Sequence, residues 1–167
     1  MWATLTLLAI AFQAIAAWRD LGTRIIPDAV PAALLLVGVA LRARGGAAAV
    51  GLSLLLALAL FALLAVLHAR GWLGGGDVKL ASGIAAGLAP QAVPLFLFAT
   101  GIAGGVLAAA YLMLRALPRP PYRVRSGPLL RRVCRVERWR IVRRWPLPYG
   151  IAIACGGAWA MLAGGGG

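Results

Sequence analysis

Acidic residues are nearly absent from this sequence. The 167 residues include only four, which are Asp20, Asp28, Asp77 and Glu137. Charged residues of both signs make up 13% of the chain and hydrophobic residues 62%, a composition outside the usual range of soluble domains. It therefore excludes an ordinary soluble globular protein and predicts a membrane protein. Each carboxylate also needs a reason, because a charged side chain at the centre of a membrane helix costs about 2.5–3.5 kcal/mol on insertion scales.

Cysteine is also scarce, with two residues in the whole chain. Cys134 lies in a basic segment and Cys155 in an apolar stretch, so we expect no disulfide between them. Two cysteines without a second pair of ligands do not form a zinc site. The sequence therefore predicts neither a metal nor a cofactor.

Long apolar runs predict an all-α, polytopic fold with about six transmembrane helices in one domain, residues 1–167. The cleanest run, 47–67, has the roughly 20 residues that a membrane span requires. Pro90 and Pro94 divide the longest run into two helices. No cleavable signal peptide is indicated, so the first helix should stay in the mature protein. We expect helices at about 2–18, 29–41, 47–68, 78–89, 91–114 and 147–162, with a basic insertion at about 115–145.

The distribution of positive charge predicts the orientation. Fifteen of the 17 basic residues lie in three loops, 19–28, 69–79 and 115–145, and only Arg42 and Arg44 lie on the other side. The positive-inside rule assigns the three basic loops to the cytoplasm. Asp20 and Asp77 would then lie on the cytoplasmic side as well.

The most unusual stretch is Gly-Gly-Gly-Asp-Val-Lys at 74–79. Its three glycines would leave room for an extended peptide beside Asp77, and they permit positive φ angles that would aim the carboxylate. Asp20 ends the first predicted helix and Asp77 begins the fourth. If these helices are neighbours, the two carboxyls can share one proton and act as an acid and a base near neutral pH. Such a pair suits activation of water for attack on a peptide carbonyl.

Each aspartate also has a structural interpretation. Asp77 alone could cap the fourth helix, and Asp20 alone could be a counter-ion to Arg19 or Arg24. Only the combination of the two aspartates favours catalysis.

The remaining charged residues have structural interpretations. Asp28 is predicted to cap the second helix, and Glu137 to form a local ion pair among the arginines around it. Two interpretations stay open for Lys79: it could pair with Asp77 or Asp20, or it could extend toward lipid head groups. The basic segment 115–145 favours an amphipathic helix on an anionic membrane over nucleic-acid binding. The expected partner is therefore the lipid bilayer and not nucleic acid.

Three stretches resemble motifs of one family, the type IV prepilin peptidases. Residues 20–28 resemble its first aspartate motif, and 148–152 (Pro-Tyr-Gly-Ile-Ala) its last-helix element. Residues 74–79 match its GxGDxK motif, the signature of the GxGD intramembrane aspartyl proteases. The resemblance extends from the first helix to the sixth.

Carried over by position, this resemblance implies that Asp20 and Asp77 are catalytic and that Asp28 is not. Gly74 and Gly76 would give access to the carboxylate. Lys79 and Arg24 would have supporting roles.

The resemblance implies an endopeptidase of the bacterial cytoplasmic membrane that removes the leaders of prepilins or pseudopilins at the cytoplasmic face. Larger members of the family carry paired CxxC motifs and methylate the new N-terminus. Because this chain lacks those cysteines, we expect the short, peptidase-only form associated with Flp/Tad-type pili, without methyltransferase activity. Two features depart from the family: the insertion at 115–145, and Gly22, where a basic residue is common.

Two other functional classes stay open at this stage. A small ion-coupled transporter would also have intramembrane carboxylates, but these would lie near the membrane midplane. A non-catalytic assembly scaffold would use the basic segment to bind lipid or secretion partners.

Overall fold

The computed structural model describes residues 2–116, 136–137, 139–141 and 147–164. Within these ranges the elements are helical, which confirms the predicted all-α class. Short 3₁₀ turns at Ala43–Gly45 and Pro90–Ala92 precede the third and fifth helices. The α-helices are α1 (Trp2–Thr23), α2 (Ala29–Arg42), α3 (Gly46–Ala69), α4 (Gly75–Ala85), α5 (Val93–Ala116) and α6 (Tyr149–Gly164).

Three segments of the described chain are long and apolar enough to cross a membrane: Ala3–Thr23, Ala29–Ala69 and Pro90–Ala116. The second of these contains both α2 and α3. The helix α6 is a shorter apolar helix, and α4 has only 11 residues. At 1.5 Å per residue α4 is about 16 Å long, roughly half of a bilayer's hydrocarbon core. The helices thus define a polytopic membrane protein, while the number of six crossings stays a prediction.

Two helix boundaries, one near Asp20 and one near Asp77, differ from the predicted ones. The helix α1 continues to Thr23, so Asp20 lies inside its last turn and not in a connection that begins at residue 19. Arg140, far away in sequence, donates hydrogen bonds to carbonyls at this helix end, and no local pattern reveals that partner. The helix α4 begins at Gly75, because the Gly74 carbonyl accepts the first hydrogen bonds of the helix.

Small residues bring α4 into the centre of the bundle. Seven of its 11 residues are buried, and it packs against α2, α3 and α6. A Cβ atom added to Gly83 would lie 2.8 Å from the Pro31 carbonyl oxygen of α2. Further along the same interface, a Cβ on Gly38 would lie 2.7 Å from the backbone of Gly87. Such backbone proximity is the usual way in which membrane helices pack closely.

Candidate active site

Asp20 is held by the first turn of α6. Its side chain lies in the last turn of α1 with the residue only 7% exposed, and its Oδ2 accepts a 2.9 Å hydrogen bond from the Gly150 backbone N–H. That N–H is one of the first-turn donors that have no partner within their own helix. A Cβ on Gly150 would lie 2.9 Å from Asp20 Oδ2 and 3.0 Å from its Cβ. The close approach of the two helices therefore requires glycine at position 150.

Asp77 lies half-buried in the first turn of α4. Burial raises the pKa of its carboxyl to about 6, and the negative charge of Asp20 adds to this increase. A hydrogen bond from the Gly74 backbone and the positive charge of Arg24 lower the pKa, but they do not cancel the effect of burial. A carboxyl with this pKa exchanges its proton near neutral pH, as a general acid or base must.

The glycines before Asp77 provide space and not an unusual backbone. Gly74 is extended, with φ −70° and ψ 141°, and the glycines with positive φ in the described chain are Gly46 and Gly71. The positive φ angles that glycine permits are therefore not adopted at 74–76. A Cβ on Gly74 would lie 2.8 Å from Asp77 Oδ2, so this glycine keeps the carboxylate uncovered.

Gly76 lies next to a different side chain from the one beside Gly74. A Cβ on Gly76 would lie 3.3 Å from the side chain of Ile26, so this glycine lets α4 pack against the connection between α1 and α2. Gly76 is not among the residues around the cavity that contains the two aspartates.

Both aspartates line one cavity of about 860 Å³. The end of α1, the start of α4, and residues of α3, α5 and α6 form its walls. In the described residues no group of three or more histidine, cysteine, aspartate or glutamate side chains could hold a metal ion. The polar or charged lining residues are Asp20, Arg24, Asp77, Thr100 and Tyr149, and the apolar ones include Leu64, Leu67, Trp72, Leu73, Phe96, Leu97, Leu147 and Ile153.

Lys79 pairs with Asp28 and not with either cavity aspartate. Its Nζ lies 2.7 Å from Asp28 Oδ1, and both side chains are substantially exposed. Asp28 precedes α2 as predicted, but its carboxylate makes no capping hydrogen bond. The predicted side-chain cap is therefore wrong, because the carboxylate binds Lys79 instead.

Arg24 lies at the cavity with its guanidinium group bound to Glu137. Its Nη2 donates to Glu137 Oε1 and, at 3.5 Å, to the Tyr111 hydroxyl, which itself donates to Glu137. Arg140 Nη1 donates to the other carboxylate oxygen of Glu137 at 3.2 Å. The prediction of a local ion pair for Glu137 therefore describes only part of the cluster. Arg140 is a local partner, but the other arginine, Arg24, is 113 positions away in sequence. The sequence analysis missed Tyr111 and Arg140, and the lone acid within a basic segment was the only signal for them.

A comparison with models of protein families gives a match for this chain. A family model described as the type IV leader peptidase family matches residues 7–109, which contain both cavity aspartates and more than half of the chain. The chain belongs to the type IV leader peptidase family. It is therefore a peptidase, which is a kind of hydrolase. Neither the curated proteins nor the solved structures give a significant match. The insertion at 115–145 and α6 lie beyond the matched residues.

Proposed function

We propose that this protein is a membrane-embedded aspartyl endopeptidase that removes the N-terminal leaders of type IV prepilins or pseudopilins. One observation carries the assignment of the residues: Asp20 and Asp77, 57 positions apart in sequence, line the same cavity, and the charge of one raises the pKa of the other. They are two of only four acidic residues in the chain. The proposed activity is peptide-bond hydrolysis alone and includes no methyl transfer.

The proposed mechanism uses one proton shared by the two carboxyls. The ionised carboxylate takes a proton from water as the water oxygen attacks the scissile carbonyl carbon. The protonated carboxyl donates a hydrogen bond to the carbonyl oxygen, which becomes negatively charged in the tetrahedral intermediate. The proton taken from water then passes to the leaving nitrogen as the C–N bond breaks. The products are the leader with a new carboxylate and the shortened protein with a new amine.

The shape of the cavity supports a peptide substrate. Its walls are mostly apolar, which suits a segment of peptide drawn from a membrane. Gly74 leaves Asp77 open on the side where an extended backbone would approach. The excess of basic residues in the loops beside the two aspartates supports cleavage at the cytoplasmic face of the bacterial inner membrane.

The transporter and scaffold alternatives have less support. A coupled transporter would place its carboxylates near the membrane midplane, whereas Asp20 lies in the last turn of α1 and Asp77 in the first turn of α4. A scaffold would not need two carboxyls in one cavity.

The direct test is cleavage of a Flp-type prepilin by the protein purified in detergent, followed by mass spectrometry. We expect the wild type to release a leader-sized fragment. Asp20→Asn and Asp77→Asn should each lower the rate by about 10²–10⁴-fold or more, because each removes one partner of the acid–base pair. Asp28→Asn is the matched control, since it removes an exposed carboxylate outside the cavity. Cleavage by either cavity variant at the wild-type rate would overturn the assignment.

A further inference from the structure

The helix end that carries Asp20 is capped by a residue of the basic insertion. Arg140 Nη1 donates to the Leu21 carbonyl oxygen at 2.9 Å, and Nη2 donates to that of Gly22 at 3.0 Å. These carbonyls belong to the last turn of α1, where no later residue of the helix can donate to them. A guanidinium group has its donors in a rigid fork that reaches both oxygens at once.

Glu137 is buried against the same helix end. It is 7% exposed and accepts hydrogen bonds from Arg24, Tyr111 and Arg140. Val136 and Trp139, in contrast, are exposed. Among the described residues of the insertion, Glu137 and the apolar Ile141 are therefore turned to the protein, whereas Val136 and Trp139 are turned outward. The sequence predicted an amphipathic helix in the insertion, but it could not show that Arg140 would bind the end of α1.

Arg24 connects this cluster to the two aspartates. It lines their cavity, and its positive charge acts on both carboxyls, although no hydrogen bond to either is formed. Two of its guanidinium nitrogens, Nε and Nη1, are buried and have no hydrogen-bond partner among the residues that the structure describes. Its backbone is in the left-handed region at φ 59°, which is uncommon for arginine. Without Glu137, this cation would still share its cavity with the carboxyls of Asp20 and Asp77 and act on both of them.

We propose that Glu137 and Arg140 are positioning residues of the peptidase site. Glu137 holds Arg24 away from the aspartates and so leaves them free to share one proton, and Arg140 fixes the helix end that carries Asp20. This inference rests on the proposed function. It gives the basic insertion a role in the active site in addition to any contact with lipid.

The test begins with Glu137→Gln, which removes the charge and keeps the shape. We expect kcat to fall about 10–100-fold with little change in KM, because the substrate-binding walls are untouched while the carboxyl pair is disturbed. The alkaline limb of the pH–rate profile should move to lower pH, since a freed Arg24 favours the ionised form of Asp77. Asp28→Asn, which breaks an exposed ion pair, should change neither quantity.

The discriminating variant is Arg24→Gln combined with Glu137→Gln. We expect it to regain at least about tenfold in kcat over Glu137→Gln, because the misplaced cation is gone. Arg140→Gln should also lower kcat, and adding Arg24→Gln to that variant should not restore kcat. A double variant as inactive as Glu137→Gln would overturn the proposal, since that result indicates a general folding role or a direct need for Arg24.

Thermal unfolding of the same variants separates failure of this inference from failure of the proposed function. We expect a lower Tm for Glu137→Gln, because this variant leaves the charge of Arg24 buried without its partner. The double variant should recover part of the Tm, because the unpaired charge is then gone. A wild type that cleaves no prepilin would overturn the function and, with it, the positioning role. If the Tm changes of Arg24→Gln and Glu137→Gln simply add in the double variant, the two residues are not coupled. That result would overturn the contact between the insertion and Arg24.

Discussion

At the residue scale, the site depends on glycines that allow close approach to carboxylates. Gly150 lets the first turn of α6 donate to Asp20, and Gly74 leaves the Asp77 carboxylate uncovered. Other glycines of the bundle have open space around the position of a side chain, as Gly105 does. Glycine is therefore required at a few positions by specific contacts.

We expect Gly150→Ala to lower cleavage at least about 100-fold, because its methyl group would displace Asp20 by a fraction of an ångström or more. The free energy of unfolding should fall by about 1–3 kcal/mol, the usual effect of overpacking. Steady-state cleavage and thermal unfolding measure the two effects. Gly105→Ala is the control: it adds the same methyl group to α5, and a helical alanine is favoured over glycine by about 0.5–1 kcal/mol. Equal activity in the two variants would contradict the assigned contact.

The raised pKa of Asp77 predicts the pH dependence of the enzyme. Because the negative charge of Asp20 contributes to this raised pKa, the proton that the pair shares is lost from Asp77 as the pH rises through about 6, and the rate should decline on the alkaline side of that pH. A pH–rate profile of kcat measures this limb. A rate that stays constant from pH 5 to pH 8 would contradict a shared proton held with this pKa.

The same pKa predicts how stability changes with pH. Because the folded protein binds the Asp77 proton more tightly than the unfolded chain does, stability should fall as the pH rises from about 4 through 6. Allowing for the partial exposure of the side chain, the effect should be about 1–2 kcal/mol. Asp77→Asn should remove this loss. Thermal unfolding of both proteins at pH 4.5 and 7.5 tests it, and parallel curves would refute it.

At the scale of elements, the short helix α4 is held by both its neighbours and its ends. Its C-terminal side meets α2 through Gly38, Gly83 and Gly87, whose backbones approach closely. Its N-terminal side is joined to α2 by the Lys79–Asp28 ion pair. An 11-residue helix has little stability of its own, so tertiary packing must maintain it and Asp77 with it.

The Lys79–Asp28 pair should matter little for catalysis. Both side chains are exposed, and such pairs stabilise by about 0–1 kcal/mol. We expect Lys79→Gln to change kcat less than about threefold and to lower the free energy of unfolding by less than about 1 kcal/mol. Cleavage kinetics and denaturation test this, with Asp28→Asn as the partner variant. A large loss of kcat in Lys79→Gln alone would instead assign this lysine a direct role.

At the scale of the whole molecule, the basic residues are distributed unevenly along the chain. Fifteen of the 17 fall in the segments 19–28, 69–79 and 115–145, whereas Arg42 ends α2 and Arg44 lies in the turn before α3. Arg42 donates to Ser53, and Ser53 donates to the Leu88 carbonyl oxygen just beyond α4. These contacts involve none of the residues around the cavity that contains Asp20 and Asp77.

This asymmetry predicts the orientation in the membrane. In a variant with Cys134 and Cys155 replaced by serine, single cysteines at positions 44 and 79 should react differently with a membrane-impermeant maleimide. We expect labelling of position 44 from the periplasmic side and of position 79 only after the membrane is opened, because basic loops stay in the cytoplasm. The reverse pattern would contradict cleavage at the cytoplasmic face.

Much of this protein follows from the sequence alone. Continuous apolar runs of about 20 residues determined an all-α membrane fold, because a run of that length spans the bilayer as a helix and satisfies its backbone hydrogen bonds within the segment. The rarity of acids, together with the glycines before Asp77, identified the two candidate carboxylates. Both inferences depend on properties that are local along the chain, and for that reason they needed no coordinates.

Only the tertiary structure decided which distant groups meet these carboxylates. It paired Asp20 with the Gly150 N–H, Lys79 with Asp28, and Arg24 with Glu137, and it supplied Arg140 as the cap of α1. Each of these contacts joins residues more than 50 positions apart, and several equivalent partners were available in sequence. Hydrogen bonds and ion pairs act over a few ångströms, so the choice among those partners is made by the packing of the helices.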